Sequence, residues 1–295
     1  MPPKRIKNYT GRYALVDGIP YEMPVRARNS PAFLAGFTCD WEKANSLLPG
    51  NEIHALKLPN GRAILLITVI NYVDTSIGKY IEYSIAIGCT KGKKPAPRIL
   101  NTVFLKSYGT GQYILDLPVS SEISVKGGKG IWGMPKHQAN LDFVDTEETV
   151  SSQYEKDGQF VFRVEIKKPK SPSLRIKIGA TNYCRYRNML MASYIYFDTK
   201  AGVNLFGKAQ AKLYIGDHPN VAMLRDIDIN PNPMFTVYMP AANGILDDHM
   251  QCWFMTYDEP PSTMPEGLES VFHLGNGEEW LSPPSISDYE KYAIK

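Results

Sequence analysis

The sequence is poor in cysteine, with four widely spaced residues in a chain of 295: Cys39, Cys89, Cys184 and Cys252. No CxxC pair is present, so neither a zinc knuckle nor a redox dithiol is indicated. The five histidines also lack the HxH or HxxxH spacing that is typical of a zinc site. We therefore expect no metal and no cofactor, and we expect the reduced thiols of a cytoplasmic protein.

Long apolar runs and an excess of one charge are missing as well. No stretch reaches the roughly 18 consecutive apolar residues of a membrane-spanning helix, and no apolar segment precedes a cleavage site near the N-terminus. The 33 basic and 30 acidic residues give a net charge of +3, which is too balanced to favour nucleic acid as a partner. We expect a chain that binds neither a membrane nor nucleic acid.

Sequence motifs of common enzyme classes are also absent. There is no GxSxG elbow, no GxGxxG between a strand and a helix, and no GxxxxGK[ST] phosphate loop. The glycine-rich stretch Gly127–Gly133 reads "GGKGIWG", is not a GxxxxGK[ST] loop and does not stand between a predicted strand and a predicted helix. We interpret it as a tight connection between strands, because glycine tolerates the backbone conformations that turns need.

Short alternating segments broken by Gly, Pro, Asn and Asp dominate what is present. Their period of two and their β-branched residues predict strands. The predicted strands cover Glu52–Leu58, Arg62–Val73, Lys79–Thr90, Asn101–Lys106, Gln112–Leu117, Gln138–Val144, Gln159–Lys167, Ser173–Gly179, Met191–Asp198, Ala209–Tyr214, Phe235–Met239 and His249–Tyr257. So many strands with tight turns favour a barrel or a sandwich.

Helix signals are few. Asp40 is a plausible N-cap for a helix that Pro49 would stop. The segment Thr181–Ala192 could form one or two helical turns, and Ala222–Asp226 is a weaker candidate. Together with the strands, these segments predict an α+β fold that is mostly β.

The chain is expected to form one domain over residues 1–257, of which residues 1–25 are an N-terminal extension. From residue 258 the composition changes to Pro, Ser, Gly and acidic residues with scattered aromatics. We interpret residues 258–295 as a C-terminal extension that packs on the domain or on a neighbouring subunit.

Lys136 lies at the start of a predicted strand, directly after an apolar stretch that contains Trp132, Met134 and Pro135. A lysine attacks carbonyl compounds only as the free amine, which is scarce at neutral pH at the usual pKa of about 10.4. Burial or a nearby cation lowers the pKa of a lysine and supplies that amine. The alternative is a lysine at a strand edge that prevents aggregation.

Glu82 lies in the apolar segment "GKYIEYSIAIGC", on the same strand face as Tyr80, Ser84 and Ala86. This face is polar enough either to line a pocket or to meet solvent, and the pattern alone favours solvent.

The stretch Gly128–His137 resembles the acetoacetate decarboxylase family, in which a glycine-led motif ends in aromatic-Pro-Lys-Lys. Here the motif ends in Met134-Pro135-Lys136-His137, and further segments resemble the family in the same order from about Asn29 to Tyr257. The resemblance implies a cone-shaped central β-barrel with few short helices, usually assembled as a homo-oligomer. It also implies that Lys136 forms a Schiff base with a small keto acid.

The resemblance assigns further site residues. Glu82 matches an active-site glutamate that would orient substrate or move protons, and His137 replaces the second lysine and could assist proton transfer. The family's active-site arginine falls on Arg28 or Arg26. A second family glutamate falls at Thr68, where no acid stands. Thr68, Arg28, Trp132 and Met134 are the expected substrate-binding residues.

These residues imply a lyase that decarboxylates a β-keto acid through an iminium on Lys136, which acts as an electron sink without a cofactor. Two alternatives remain open. One is an aldolase–dehydratase that uses the same lysine on a pyruvate-like substrate, which the changes at Thr68 and His137 favour. The other is a barrel that only binds a small ligand.

Overall fold

The computed structural model describes residues 11–98, 107–170 and 173–259. The predicted strand Asn101–Lys106 and most of the predicted extension 258–295 lie outside the described residues. The strands are β1 Arg12–Val16, β2 Ile19–Met23, β3 Val25–Cys39, β4 Ile53–Ala55, β5 Ala63–Tyr72, β6 Asp74–Thr75, β7 Tyr80–Lys91, β8 Gly111–Val119, β9 Lys136–Gln138, β10 Asn140–Leu141, β11 Val144–Asp145, β12 Thr149–Lys156, β13 Gln159–Lys167, β14 Leu174–Tyr186, β15 Met189–Leu205, β16 Ala211–Ile215 and β17 Phe235–Phe254. The helices are α1 Trp41–Ser46, α2 Glu122–Trp132 and α3 Pro219–Ala222, with short 3₁₀ turns at Phe206–Lys208 and Met223–Arg225.

Seven strands close into a barrel in the order β7-β5-β3-β17-β15-β14-β8, and pairing of β8 with β7 completes the ring. Most neighbours are antiparallel, whereas β14 and β8 are parallel. Closure leaves no free edge within the ring itself, which removes a site of aggregation. The predicted mostly-β fold with a central barrel and few short helices is confirmed.

A cluster of apolar side chains from many strands identifies the interior of the barrel. One cluster joins apolar residues from six of the seven barrel strands, including Ala27, Ile70, Val119 and Phe197. Strands that are not neighbours in the ring can meet in this way only inside it. Because Ile70 pairs directly with Glu82, the face of β7 that carries Glu82 points into the barrel.

A smaller sheet packs on the outside of the barrel and is built from β10, β11, β12, β13 and β16. Tyr83, on the outer face of β7, contacts Tyr154 and Phe162 of this sheet at ring-centroid distances of 6.2 and 5.8 Å. All three rings are fully buried. Aromatic burial of this kind holds the two sheets together as one unit.

The first helix forms where the sequence predicts it. The Asp40 side chain accepts a hydrogen bond from the Lys43 amide at 2.9 Å, as an N-cap does. The segment Thr181–Ala192 was a candidate for one or two helical turns, and this prediction is wrong. It contains the end of β14, a turn and the start of β15, and the paired barrel strands override a weak local helix preference.

The prediction of a strand connection at Gly127–Gly133 is also wrong, because this stretch forms the second half of α2 and its end. β8 and β9 are parallel, and parallel neighbours need a crossover, which α2 provides. Gly133 ends the helix in the left-handed conformation at a φ of 64°, which glycine adopts without strain.

Candidate active site

Lys136 is the first residue of β9, and its side chain points into the barrel beside α2. The residue is only 4% exposed. Its Nζ lies 2.7 Å from Oε2 of Glu82 and donates a hydrogen bond to Oγ of Ser124 at 3.0 Å. The Tyr80 ring lies 5.4 Å from the same nitrogen. The structure therefore joins a buried amine, a carboxylate and a hydroxyl from β9, β7 and α2.

The glycine at position 128 explains how Lys136 fits beneath the helix. A Cβ atom at Gly128 would lie 2.3 Å from Cδ of Lys136, which is far inside van der Waals contact. Only a residue without a side chain lets α2 cover the lysine stem this closely. The helix thus shields the amine from solvent on one side.

Two buried tyrosines complete the surroundings of the ion pair. Tyr72 and Tyr80 stack with ring centroids 4.6 Å apart. Burial, followed by the negative charge of Glu82, raises the pKa of both phenols well above its usual value. Both hydroxyls therefore stay protonated beside the carboxylate of Glu82.

His137 does not join this site, because successive residues of a strand point to opposite faces. Its Nε2 lies 2.7 Å from Oδ1 of the buried Asp116 and 3.2 Å from Nδ2 of Asn220. Lys156 approaches Nδ1 at 3.0 Å. His137 thus lies between the barrel and the small sheet, and its expected part in catalysis stays a prediction that this geometry does not support.

The two candidate arginines also lie apart from Lys136. Val25 and Ala27 belong to the interior clusters of the barrel, so alternation along β3 turns Arg26 and Arg28 outward. Both arginines are exposed and line a surface pocket of about 210 Å³ together with Asp74. Contact between Arg28 and a substrate on Lys136 stays a prediction.

The other expected substrate-binding residues face the barrel interior. Thr68 is partly exposed and pairs with Ser84 of β7. Trp132 and Met134 are buried together in an interior cluster, and the Trp132 indole donates to the backbone oxygen of Asp247 at 2.8 Å. They supply apolar surroundings immediately before Lys136.

Sequence reasoning missed Ser124, Tyr72 and Tyr80 as neighbours of the lysine. Tyr80 shares the face of Glu82 and could have been found from the period of the strand. Ser124 could have been found only by assigning a helix to residues 122–132. No sequence signal places Tyr72 against Tyr80, since the pairing of β5 with β7 sets that contact.

The sequence model of the acetoacetate decarboxylase family matches residues 8–195, more than half of the chain. The chain belongs to the acetoacetate decarboxylase family. No curated protein matches the chain significantly in sequence.

Solved structures of the family share the fold. The acetoacetate decarboxylase of Legionella pneumophila subsp. pneumophila str. Philadelphia 1 is similar with a TM-score of 0.59 at 15% identity, over 84% of this chain and 90% of that one. A second acetoacetate decarboxylase structure gives 0.57 at 16% identity, over 80% and 91%. The enduracididine biosynthesis enzyme MppR gives 0.52 at 11% identity, over 78% and 88%. At these identities the likeness establishes the fold.

Two further properties concern the described part of the chain. None of its helices has the length and apolar character needed to cross a membrane. Its His, Cys, Asp and Glu side chains form no group of three that could hold a metal ion.

Proposed function

We propose that this member of the acetoacetate decarboxylase family is an enzyme that forms a Schiff base on Lys136 and decarboxylates a β-keto acid. The observation that carries the proposal is the buried Lys136, whose Nζ lies 2.7 Å from Glu82 Oε2 inside the barrel. Burial makes a charged amine costly, and a carboxylate within hydrogen-bonding distance gives its proton a place to go.

The proposed reaction begins with transfer of a proton from the Lys136 ammonium to Glu82. The free amine attacks the ketone carbon of the substrate, and loss of water gives an iminium. The bond to the carboxyl carbon then breaks, its electrons pass to the iminium nitrogen, and carbon dioxide leaves. Protonation of the resulting enamine and addition of water release a ketone and restore the amine.

The surrounding hydroxyls suit this chemistry. Ser124 holds the amine in place through a hydrogen bond, and the Glu82 carboxylate lies directly against the same nitrogen, so little reorganisation is needed before attack. Because both tyrosines stay neutral, they add no negative charge that would compete with Glu82 for the iminium.

Thr68 favours a second candidate reaction. A carboxylate at this position would repel a bound carboxylate and promote its loss, whereas the threonine adds no charge. An aldolase–dehydratase would use the same iminium, but the enamine of a pyruvate-like substrate would attack an aldehyde and water would then be eliminated.

The test is reductive trapping with borohydride in the presence of acetoacetate, pyruvate or a longer 3-oxo acid. We expect a mass increase on the peptide that contains Lys136, which is lost in Lys136→Met and kept in Lys126→Met, a change at a partly exposed lysine of α2. An adduct that has lost carbon dioxide supports decarboxylation. An adduct with pyruvate alone supports the aldolase. If the folded protein forms no adduct with any of these compounds, the result favours a barrel that only binds a ligand.

A further inference from the structure

A buried serine on the interior face of β7 lacks a hydrogen-bond partner. Ser84 is 7% exposed, and its Oγ meets no donor or acceptor among the residues that the structure describes. It shares the face of Glu82 and stands two residues further along the strand, a step of about 6.5 Å. An unsatisfied buried hydroxyl costs free energy, so it calls for a functional explanation.

Three side chains continue from Ser84 across neighbouring strands. Thr68 of β5 lies directly opposite Ser84, Leu34 of β3 lies next to Thr68, and Val237 of β17 follows. Thr68, Leu34 and Val237 keep some accessible surface although they face the interior. We call Ser84, Thr68, Leu34 and Val237 the hydroxyl row. It presents two hydroxyls beside two apolar side chains, and none of its four side chains is charged.

We propose that the hydroxyl row binds an uncharged hydrogen-bond acceptor in the chain of the keto substrate, about five bonds from the carbon that Lys136 attacks. This inference rests on the proposed function, since it takes Lys136 as the group that holds the carbonyl carbon. Five bonds span a distance close to the step of about 6.5 Å from Glu82 to Ser84. The substrate is therefore longer than acetoacetate.

The chemistry of the row selects the acceptor. The Ser84 hydroxyl can donate a hydrogen bond, and a ligand oxygen would satisfy it without a second desolvation cost. A carboxylate at the same place would be buried with no cation in the row to balance it. Leu34 and Val237 would pack against the methylene groups on the way to that oxygen.

Two matched methyl ketones test the row independently of the reaction that follows imine formation. 6-Methoxyhexan-2-one and octan-2-one have the same length and carbonyl position and differ by an ether oxygen in place of one methylene. Each is incubated below saturation with the protein and sodium cyanoborohydride, and the adduct on Lys136 is measured by mass spectrometry. A cavity that offers no hydrogen bond would favour octan-2-one, which is the more apolar ketone. A preference for the ether would therefore indicate a hydrogen bond to its oxygen.

We expect the wild-type protein to form roughly threefold to tenfold more Lys136 adduct with the ether than with octan-2-one, because one added hydrogen bond strengthens binding by about this factor. In Ser84→Ala the ratio of ether adduct to octan-2-one adduct falls to one or below, and in Thr68→Val this ratio is smaller than in the wild-type protein. Thr236→Val is the matched control. Thr236 is also fully buried with an Oγ1 that has no partner among the described residues, but it pairs with Ala35 on the outer face of the barrel. This variant keeps the preference.

The outcomes separate the two proposals. Equal trapping of both ketones by the wild-type protein, or an unchanged preference in Ser84→Ala, overturns the hydroxyl row and leaves the Schiff base intact. Absence of any adduct on Lys136, with these ketones and with keto acids, overturns both.

Discussion

At the scale of single residues, the site depends on one contact between a buried cation and a carboxylate. Lys136 and Glu82 have side chains that are 4% and 16% exposed, and the 2.7 Å distance between them leaves no space for water. Neither residue would be stable in this place alone, because an unpaired buried charge costs several kcal/mol. The pair therefore keeps a buried amine and a carboxylate together at a cost that each reduces for the other.

Glu82→Gln tests the role of that carboxylate. The amide has the same shape but cannot accept the proton of Lys136, so we expect imine formation to slow by about 10²- to 10⁴-fold, as loss of a general base does. The measurement is the rate of borohydride trapping under single-turnover conditions. Glu165→Gln, on the small sheet, is the control. A Glu82→Gln protein that traps ligand within twofold of the wild-type rate would remove Glu82 from proton transfer.

At the scale of elements, α2 is the part that makes the lysine inaccessible. Three glycines let the helix approach its neighbours, since Cβ atoms at Gly127, Gly128 and Gly130 would lie 2.6, 2.3 and 2.5 Å from atoms of Tyr21, Lys136 and Val16. Glycine lowers the intrinsic stability of a helix by about 1 kcal/mol relative to alanine. Close packing over β1, β2 and β9 requires it here.

Gly128→Ala and Gly127→Ala separate packing against Lys136 from the packing of α2 against its other neighbours. At position 128 the methyl group displaces the lysine stem and disturbs its contact with Glu82, so we expect trapping on Lys136 to fall at least tenfold, together with a loss of stability. At position 127 it meets the Tyr21 ring, which is 1% exposed, and we expect a loss of about 1–3 kcal/mol in stability. Equal effects of both changes on trapping and on melting would contradict this division.

At the scale of the whole molecule, the barrel and the small sheet meet along the outer face of β7, β8 and β9. The rings of Tyr83, Tyr154 and Phe162 form the apolar part of this contact. His137 forms the polar part, with the carboxylate of Asp116 on the barrel and the amide of Asn220 in α3. His137, the residue next to Lys136, thus links the barrel to the small sheet, whose Lys156 approaches its Nδ1 at 3.0 Å, and we infer that it positions β9.

Buried tyrosines make the folded molecule sensitive to alkaline pH. Burial raises the pKa of Tyr72, Tyr80 and Tyr83 well above its usual value. The unfolded chain ionises its tyrosines near pH 10, so above that pH the folded state binds more protons and stability falls as pH rises. Below about pH 10 this contribution is fully present.

Tyr83→Phe tests this origin of the alkaline sensitivity. The Tyr83 hydroxyl is buried and without a partner in the described chain, so we expect no loss of melting temperature at pH 8. Between pH 10 and 11 we expect the melting temperature of the variant to fall less steeply than that of the wild-type protein. Tyr214→Phe, at an exposed ring, serves as the control. The same steepness in Tyr83→Phe and wild type would show that this phenol does not contribute.

The sequence by itself determined several of the strands, the start of α1 and the identity of the central lysine. Alternation along Arg62–Val73 and Lys79–Thr90 predicted β5 and β7, because a period of two is a local property of the chain. Asp40 predicted the start of α1, because an N-cap acts within the first turn of its helix and is therefore also a local signal. The resemblance around Pro135 and Lys136 predicted both the barrel and the residue that the structure encloses in it.

The resemblance assigned Glu82 to the site of that lysine, but only the tertiary structure brought Ser124, Tyr72 and Tyr80 to it. Glu82 could have faced solvent until pairing of β7 with β5 and β8 closed the ring and turned its face inward. Residues 122–132 became a helix because β8 and β9 are parallel and need a crossover, which brings Ser124 to the amine. The alternation that turns Lys136 inward also turns His137 outward. Contacts between residues far apart in sequence follow from strand order and register, which local patterns do not encode.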